Sequence, residues 1–277
     1  MAIVRTYRVQ DTPPPFLNLA WHIFFSSRGR GVSMDAHFPW LKAGGRDDRT
    51  WCIEEMGQPA AMLVMRKGVI QDEEGAAIDF HAIGLVCTAP AFGKRGFASR
   101  LVEVALKSAG DGTPVLLWTS QHDFYARFGF QLIDPTLMVA CEFANGSQTA
   151  AVERTDWQRE ERYSACFGGP RGLPAFVEGA QRTWSWVHPK ASFILSTGHI
   201  PSMLDMDAPT ETAAEAIAAL GIERMVLNMP RETPLLAALK ERGARVVPRP
   251  TDIAMWRPGR FDPLMIGRWD IPLLDRF

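Results

Sequence analysis

The segment from 76 to 108 constrains the fold most, because three different patterns follow one another in it. An apolar run at 76–88 indicates a strand, a short stretch with two glycines and two basic residues follows, and an amphipathic helix is predicted at 96–108. One face of that helix carries Phe97, Leu101, Val104 and Ala105. A strand, a glycine loop and a helix in this order can bring a helix N-terminus close to an anionic ligand.

The loop itself, GKRGFA, offers what a pyrophosphate needs. Gly93 and Gly96 permit close approach and unusual backbone angles, while Lys94 and Arg95 add positive charge. The unpaired donors of the first helical turn would be the N–H groups of Gly96, Phe97, Ala98 and Ser99. The pattern is equally typical of a basic loop that only starts a helix, because short glycine motifs match many unrelated loops.

Further strands and helices are predicted on both sides of this segment. Strands are predicted at 3–9, 50–55, 60–67, 114–119, 130–133 and 137–143, and helices at 16–27 and 123–128. Short polar turns connect the strands between 50 and 88, which favours antiparallel hairpins. A meander that then alternates with helices predicts an α/β fold with a mixed sheet (α+β) and helices on its faces.

The composition changes after Ala144, so we predict two domains, 1–145 and 146–277. The second domain is expected to begin with a polar linker that leads into a helix, and then to have a helix at 175–186. Strands and helices alternate after it, at 191–197, 203–206, 210–220, 225–228, 234–242, 245–247 and 252–256. Around Gly129 and Gly243 the chain has the same order of helix end, glycine, strand, proline turn and strand. The order indicates either a weak internal repeat or a common local arrangement.

The bulk composition excludes several classes of function. A net charge of -1 provides no basic field for nucleic acid or an anionic membrane. Apolar runs are too short for a membrane span, and the N-terminus lacks the pattern of a signal peptide. The four cysteines form no CxxC motif, so we expect neither a disulfide framework nor a metal site, and a cytoplasmic location.

The stretch IGLVCTAPAFGKRGFASRLVEVAL, together with the later VLLWTSQHDFYARFGFQL, resembles the GCN5-related N-acetyltransferase (GNAT) superfamily over about residues 1–143. That family writes its acetyl-CoA loop Q/R-x-x-G-x-G/A, and here the loop is 93–98. The resemblance implies the GNAT acyl-CoA N-acyltransferase fold, with a smaller GNAT-like α/β domain after it, and acetyl-CoA as cofactor. Gly93 stands where the family has Gln or Arg, so one side-chain contribution to the pyrophosphate site is missing; Lys94 or Arg95 is a candidate to replace it.

The resemblance also implies roles for residues outside the loop. The strand before the loop splays from its neighbour in this family, and its backbone pairs with the pantetheine arm; Val86, Cys87 and Thr88 fall there. Gly84 interrupts the alternation of the same strand, as a bulge does. Tyr125, in FYARFGF, stands where the family's tyrosine protonates the departing thiolate. A tyrosine packed at a helix end is the alternative.

The general base is less defined by the sequence. Asp79 and His81 alternate with apolar residues and should share one face of their strand, which either opens into the substrate cleft or is simply solvated. His81 has a suitable unperturbed pKa for a base. Glu54 and Glu55 are further candidates, of which only one should face the cleft.

We therefore expect an acetyl-CoA-dependent N-acetyltransferase that acts on a small-molecule or peptide amine by direct transfer. Acids at Asp47, Asp48, Glu54 and Glu55 hint at a cationic acceptor. The second domain should not bind acetyl-CoA, because the segment before its helix at 210–220 is acidic and has no glycine, and because Leu239 stands where Tyr125 stands. The alternatives are a non-catalytic acyl-CoA-binding or regulatory protein, and a structural partner without cofactor. The sequence leaves the oligomeric state open.

Overall fold

The computed structural model describes most of the chain. Its described residues are 2–45, 47–72, 74–142, 153–156, 164, 166–173, 183–188, 191–196, 202–207, 209–219, 223–230, 233–269 and 271. No helix among them is long and apolar enough to cross a membrane.

Fourteen strands among these residues form two sheets of seven. The strands are β1 (Ile3–Arg8), β2 (Arg49–Glu55), β3 (Gln58–Gln71), β4 (Ala77–Thr88), β5 (Val115–Trp118), β6 (Gln131–Leu132), β7 (Thr136–Glu142), β8 (Glu153–Asp156), β9 (Thr183–His188), β10 (Ala191–Ser196), β11 (Ser202–Asp207), β12 (Arg224–Pro230), β13 (Arg245–Pro250) and β14 (Ala254–Arg257). The α-helices are α1 (Pro14–Phe24), α2 (Met34–His37), α3 (Phe97–Ala109), α4 (His122–Ala126), α5 (Thr210–Ala219), α6 (Pro234–Glu241) and α7 (Pro263–Ile266).

The first sheet has the order β1-β2-β3-β4-β5-β14-β6 and carries a helix on each face. Its pairs are antiparallel except β4 with β5. The apolar stripe of α3 (Leu101, Val102, Ala105) packs with Ile53, Leu63 and Leu117 on one face. On the other face, Phe16 and Ala20 of α1 pack with Met62, Val64 and Cys87. Since both faces are covered, the central strands are almost continuously apolar rather than alternating.

The second sheet repeats the first. Its order, β13-β7-β12-β11-β10-β9-β8, corresponds strand for strand to β6-β14-β5-β4-β3-β2-β1. Its parallel pair, β11 with β12, stands where β4 and β5 stand. Apolar residues of α5 and α6 pack on one face, among them Ala213, Ile217, Leu235 and Leu239. The internal repeat predicted around Gly129 and Gly243 is thus confirmed, and both glycines have a φ of 83°.

The two sheets exchange one strand each. β7 leaves the first half of the chain and pairs with β12 and β13, while β14 returns from the second half and pairs with β5 and β6. Hydrogen-bonded sheets therefore cross the boundary predicted at 145/146 in both directions, and the division into two domains there stays a prediction.

Most of the predicted elements are present, with two corrections. The helix predicted at 175–186 is wrong over its described part, because β9 begins at Thr183; alternation of Thr183, Trp184, Ser185, Trp186 and Val187 has the period of a strand. The linker after 145 was expected to lead into a helix, and its described part holds the strand β8 instead. The remainder of both segments lies outside the described residues.

The carboxylate of Asp134 joins the two crossing segments. Asp134 lies between β6 and β7, and Thr251 lies between β13 and β14. The Oδ1 atom accepts hydrogen bonds from the N–H (3.0 Å) and hydroxyl (2.7 Å) of Thr136. The Oδ2 atom accepts from the Thr251 hydroxyl and from the N–H groups of Ile253 (3.0 Å) and Ala254 (3.2 Å). Burial alone would raise the pKa of Asp134, but these hydrogen bonds outweigh it and lower the pKa below its usual value.

Asp134→Asn should therefore lower the free energy of unfolding by about 3 kcal/mol at pH 7, because hydrogen bonds to a charged group contribute about 1.5–3 kcal/mol each and the amide leaves N–H donors unpaired. Because the pKa of Asp134 is lower in the folded state, this stabilisation is fully present above the unfolded-state pKa of about 4. It is lost as the pH falls through the folded-state pKa. Urea denaturation at pH 7 and at a series of values below pH 4 measures both effects, and the difference in unfolding free energy between the two proteins should shrink as the pH falls below 4.

The matched control is Asp262→Asn, at an exposed carboxylate that caps α7 through a single N–H group, that of Leu264. Asp262→Asn should lower the free energy of unfolding by about 1 kcal/mol or less. Equal losses in the two variants would show that Asp134 is an ordinary cap rather than the joint between the sheets.

Candidate active site

A cleft opens between β4 and β5. The two parallel strands pair only at His81 with Val115 and at Ala82 with Leu116. Beyond that point, the rest of β4 has no strand partner on its β5 side among the described residues. On its other edge β5 is held by β14. The strands therefore splay toward the end of β4, and the backbone of Val86, Cys87 and Thr88 lies along the opening.

A β-bulge shapes this part of β4. Met62 pairs with Cys87 and Val64 pairs with Gly84, so Leu85 and Val86 together stand opposite one residue of β3. Leu85 has a φ of 51°, an uncommon value for a branched side chain. The bulge predicted from Gly84 is confirmed, one residue further along. It turns the strand at the point where its neighbour departs.

The glycine loop follows the strand. A short 3-10 turn, Pro90–Phe92, leads to Gly93, whose N–H donates to the Pro90 carbonyl at 3.1 Å. Lys94 (φ 60°) and Gly96 (φ 77°) are left-handed, and Gly96 is the N-cap of α3. A Cβ at Gly96 would meet no atom within 4 Å. The chain beside the start of α3 is thus open at Gly96, and the first-turn N–H groups of α3, which lack intrahelical partners, are of the kind that binds anions.

Arg95 does not point into that space. Its Nη2 forms an ion pair with Glu55 Oε1 at 2.9 Å, and its guanidinium lies 5.0 Å from the ring centre of Phe97 and 5.7 Å from that of Phe92. The Arg95 side chain therefore ties the loop to β2, and its charge is already matched. The Lys94 side chain is exposed and has no ion pair within the described part of the chain.

A polar atom at the end of β4 is left without a partner among the described residues. Thr88 Oγ1, at the end of β4 next to the loop, is buried and makes no hydrogen bond with any described residue. A buried hydroxyl without a partner is costly unless a ligand or water completes it. Together with the unpaired edge of β4 and the free N–H groups of α3, this hydroxyl fits the phosphopantetheine and pyrophosphate of a bound CoA.

Tyr125 lies on α4, which follows the open end of β5. The side chain is 8% exposed, and its ring packs against Phe124 and Phe130 with centroid distances of 4.8 and 5.9 Å. Burial raises the pKa of the phenol well above its usual value. Its hydroxyl makes no hydrogen bond to a described residue, so it is a protonated and uncommitted donor. Leu239, at the matching position of α6, is fully buried and has no such group.

His81 and Asp79 do share one face of β4, and they differ in their surroundings. Asp79 is exposed and pairs with Lys67 Nζ at 2.8 Å. His81 lies beside the last paired residues of β4 and β5, and its Nδ1 is buried without a described hydrogen-bond partner. Burial, and secondarily the Lys67 charge, lower the pKa of His81. The imidazole is therefore neutral near pH 7. Tyr125 comes beyond the opposite end of β5.

The acids that suggested a cationic acceptor are only partly available. Asp48 is 1% exposed and pairs with Arg66 Nε at 3.1 Å. The Arg66 guanidinium lies between the rings of Trp40 and Phe167, at 4.3 and 4.8 Å. Asp48 is therefore a structural anion and not a substrate contact, and Glu55 is held by Arg95. Glu54 and Asp47 are exposed.

Cys87 lies next to the cleft, and its environment makes the thiol inert. It is buried with Met62 and Val64, and burial raises its pKa to about 12. A thiol that stays protonated is a poor nucleophile.

Arg127 was not singled out from the sequence. The exposed guanidinium reaches back from α4 to the first turn of α3, where Nη2 lies 3.5 Å from Ser99 Oγ. Its Nε donates to the Phe124 carbonyl at 3.3 Å. The sequence signal that could have identified Arg127 is its position, two residues after Tyr125 at the end of α4. Only the fold shows that this helix end lies next to the glycine loop.

Comparison with known proteins agrees with this geometry. Residues 14–130 match the model of the acetyltransferase (GNAT) family. A search of curated proteins finds no match to the sequence.

Solved structures share the fold over nearly the whole chain. A conserved protein of unknown function from Enterococcus faecalis V583, described as a probable N-acyltransferase, has a TM-score of 0.65 at 10% identity, over 95% of this chain and 74% of that one. A GCN5-related N-acetyltransferase from Anabaena variabilis has 0.61 at 14% identity, over 92% and 72%. Eis1 from Mycobacterium abscessus has 0.60 at 16% identity, over 93% and 73%. The likeness includes both sheets, and it confirms the GNAT fold predicted from the sequence.

Proposed function

Because residues 14–130 carry the acetyltransferase (GNAT) family pattern, we propose that the chain is an acetyl-CoA-dependent N-acetyltransferase that acts on a small-molecule or peptide amine. The observation that carries the proposal is the splayed β4–β5 cleft, which ends at a left-handed glycine loop and a helix N-terminus. Acetyl-CoA would supply an acyl group activated as a thioester when bound. The chain's own residues would bind, orient and move protons.

Two backbone segments are assigned to binding. The free edge of β4 at Val86, Cys87 and Thr88 would pair with the pantetheine amides as an added strand does, and its N–H groups would polarise the acyl carbonyl. The loop, Gly93 to Arg95, and the first turn of α3, Gly96 to Ser99, would surround the pyrophosphate with N–H donors. Thr88 Oγ1 would gain the hydrogen-bond partner that it lacks.

Two side chains are assigned to proton transfer. Tyr125 Oη holds a proton at all physiological pH values, since burial raises its pKa, and it would donate this proton where negative charge develops on the leaving group. His81 is neutral near pH 7, since burial lowers its pKa, and its imidazole would accept the proton that the attacking amine loses, directly or through water. Asp79 would act on His81 electrostatically rather than as a base, because it is engaged by Lys67.

Thermal unfolding with and without acetyl-CoA tests the binding site. A ligand at 100 times its dissociation constant stabilises the folded state by about 2.7 kcal/mol. The wild type should show this shift, and Gly96→Glu should abolish it, because a carboxylate at the first turn of α3 would repel the phosphates.

The matched control is Gly243→Glu, at a glycine that is also left-handed (φ 83°) with no atom within 4 Å of an added Cβ. Both variants carry the same kind of backbone strain, so only the ligand shift should separate them. A wild type that gains no stability from acetyl-CoA would contradict the proposed function.

Tyr125→Phe should reduce kcat about 10²-fold or more while acetyl-CoA binding stays within twofold, because a general acid contributes about 10²–10⁴ in rate. Steady-state kinetics with a panel of amines, in which the release of the CoA thiol is monitored, measures the change in kcat. The wild-type rate should also show no loss near pH 10 from this tyrosine, since the raised pKa keeps it protonated there. Acetyl-CoA binding without turnover on any amine would instead indicate an acyl-CoA-binding regulatory protein, the alternative that Gly93 suggests.

His81→Gln should lower kcat/KM about 10²-fold and remove the acid limb of its pH profile. In the wild type this limb should lie below pH 6.5, because a base with a lowered pKa stays neutral to lower pH. Asp79→Asn is the comparison: it keeps the base and removes an anion that raises the pKa of His81, so the limb should move to still lower pH. A His81→Gln enzyme with the wild-type profile would exclude His81 as the base.

A further inference from the structure

The glycine loop has fewer available cations than its sequence suggests. Gly93 provides no side chain, and the Arg95 charge is matched by Glu55 at 2.9 Å. Arg100, one turn into α3, donates through Nη1 to the Ala2 carbonyl at 2.7 Å, on the side of β1. Lys94 alone, in the loop itself, is exposed and without an ion pair among the described residues. A second cation near the first turn of α3 would add to the attraction that the N–H groups and one flexible lysine provide for a diphosphate.

Arg127 brings a second cation to the same place from another element. Its Nη2 is 3.5 Å from Ser99 Oγ, in the first turn of α3. The guanidinium lies 4.9 Å from the ring centre of Phe124 and 5.5 Å from that of Phe128. These rings and the Phe124 carbonyl hold the group in position before any ligand arrives, which reduces the entropy lost on binding.

The contact between Arg127 and Ser99 is easily exchanged. At 3.5 Å it is longer than an ordinary N–H···O hydrogen bond of about 2.9 Å, and both side chains are solvent-accessible. No carboxylate pairs with the Arg127 guanidinium among the described residues. A phosphate next to the first turn of α3 would offer this guanidinium a shorter, charge-assisted and bidentate contact.

We propose that Arg127 is a phosphate-binding cation of the cofactor site. The inference rests on the proposed acetyl-CoA function and adds a residue to it. The shared chemistry is a phosphate of CoA, and two sources are possible, the pyrophosphate and the 3′-phosphate. Dephospho-CoA, which lacks the 3′-phosphate, separates the two.

Calorimetric titration with CoA and with dephospho-CoA tests this role. Arg127→Gln should raise the Kd for CoA about tenfold and lower its dependence on salt. Arg127→Lys keeps the charge without the planar fork and should fall between the wild type and Arg127→Gln. If the 3′-phosphate is the partner, Arg127→Gln should leave the Kd for dephospho-CoA unchanged; if the pyrophosphate is, both ligands should weaken equally.

Lys107→Gln is the matched control. Lys107 is an exposed cation in the last turn of α3, the helix whose first turn Arg127 contacts, and its loss changes the net charge equally. The Kd of Lys107→Gln for CoA should stay within twofold of the wild-type value. The melting temperature of each variant without ligand shows that the fold is intact.

Three outcomes would overturn the inference. Arg127→Gln could bind both ligands within twofold of the wild type, which would remove Arg127 from the site and leave the proposed function standing. Lys107→Gln could weaken binding as much as Arg127→Gln, which would reduce the effect to net charge. A wild type that binds neither ligand would overturn the proposed function together with this inference.

Discussion

One buried carboxylate determines how the two halves of this protein are joined. A charge in the interior is stable only when its hydrogen bonds are complete. Asp134 completes its own with donors from two segments that are more than a hundred residues apart in the chain, Thr136 on one side and Thr251, Ile253 and Ala254 on the other. β7 can leave the first sheet and β14 can enter it because both segments turn at this anion. Neither sheet is complete without a strand from the other half.

The exchange reaches the active site through β5. β14 pairs with β5 along its four residues, while β4 pairs with only the first two of them. β5 is thus held on the side away from the cleft and is free on the side that opens. The second half of the chain contributes this support, and the fully buried Leu239 stands in it where Tyr125 stands in the first half. The two halves thus share their sheet topology and differ at this position.

The sequence predicts the local elements well and their partners poorly. Strand and helix patterns placed β2 to β5, α3 and α4 within a few residues. The matching order around Gly129 and Gly243 indicated either a repeat or a common local arrangement, and the matching sheets decide for the repeat. The exchange of β7 and β14 could not be predicted from the sequence, because the two strands have similar hydrophobic patterns. Only tertiary geometry decides which sheet each strand joins. Asp48 shows the same limit at the site: its burial depends on Arg66, Trp40 and Phe167, which are distant in sequence.

Contacts between residues that are distant in sequence also determine which charges around the cleft are paired. Arg95 follows Gly93 by two residues, so sequence reasoning assigned it to the phosphates, yet Glu55 on a neighbouring strand holds it at 2.9 Å. Arg127 is far from the loop in sequence, and α4 returns it to the first turn of α3. Asp48 and Glu55 are likewise neutralised, by Arg66 and Arg95, whereas Asp47 and Glu54 stay exposed. Strand alternation places Glu54 on the opposite face of β2 from Glu55. The exposed carboxylate of Glu54 is therefore separate from the ion pair that ties the loop to β2.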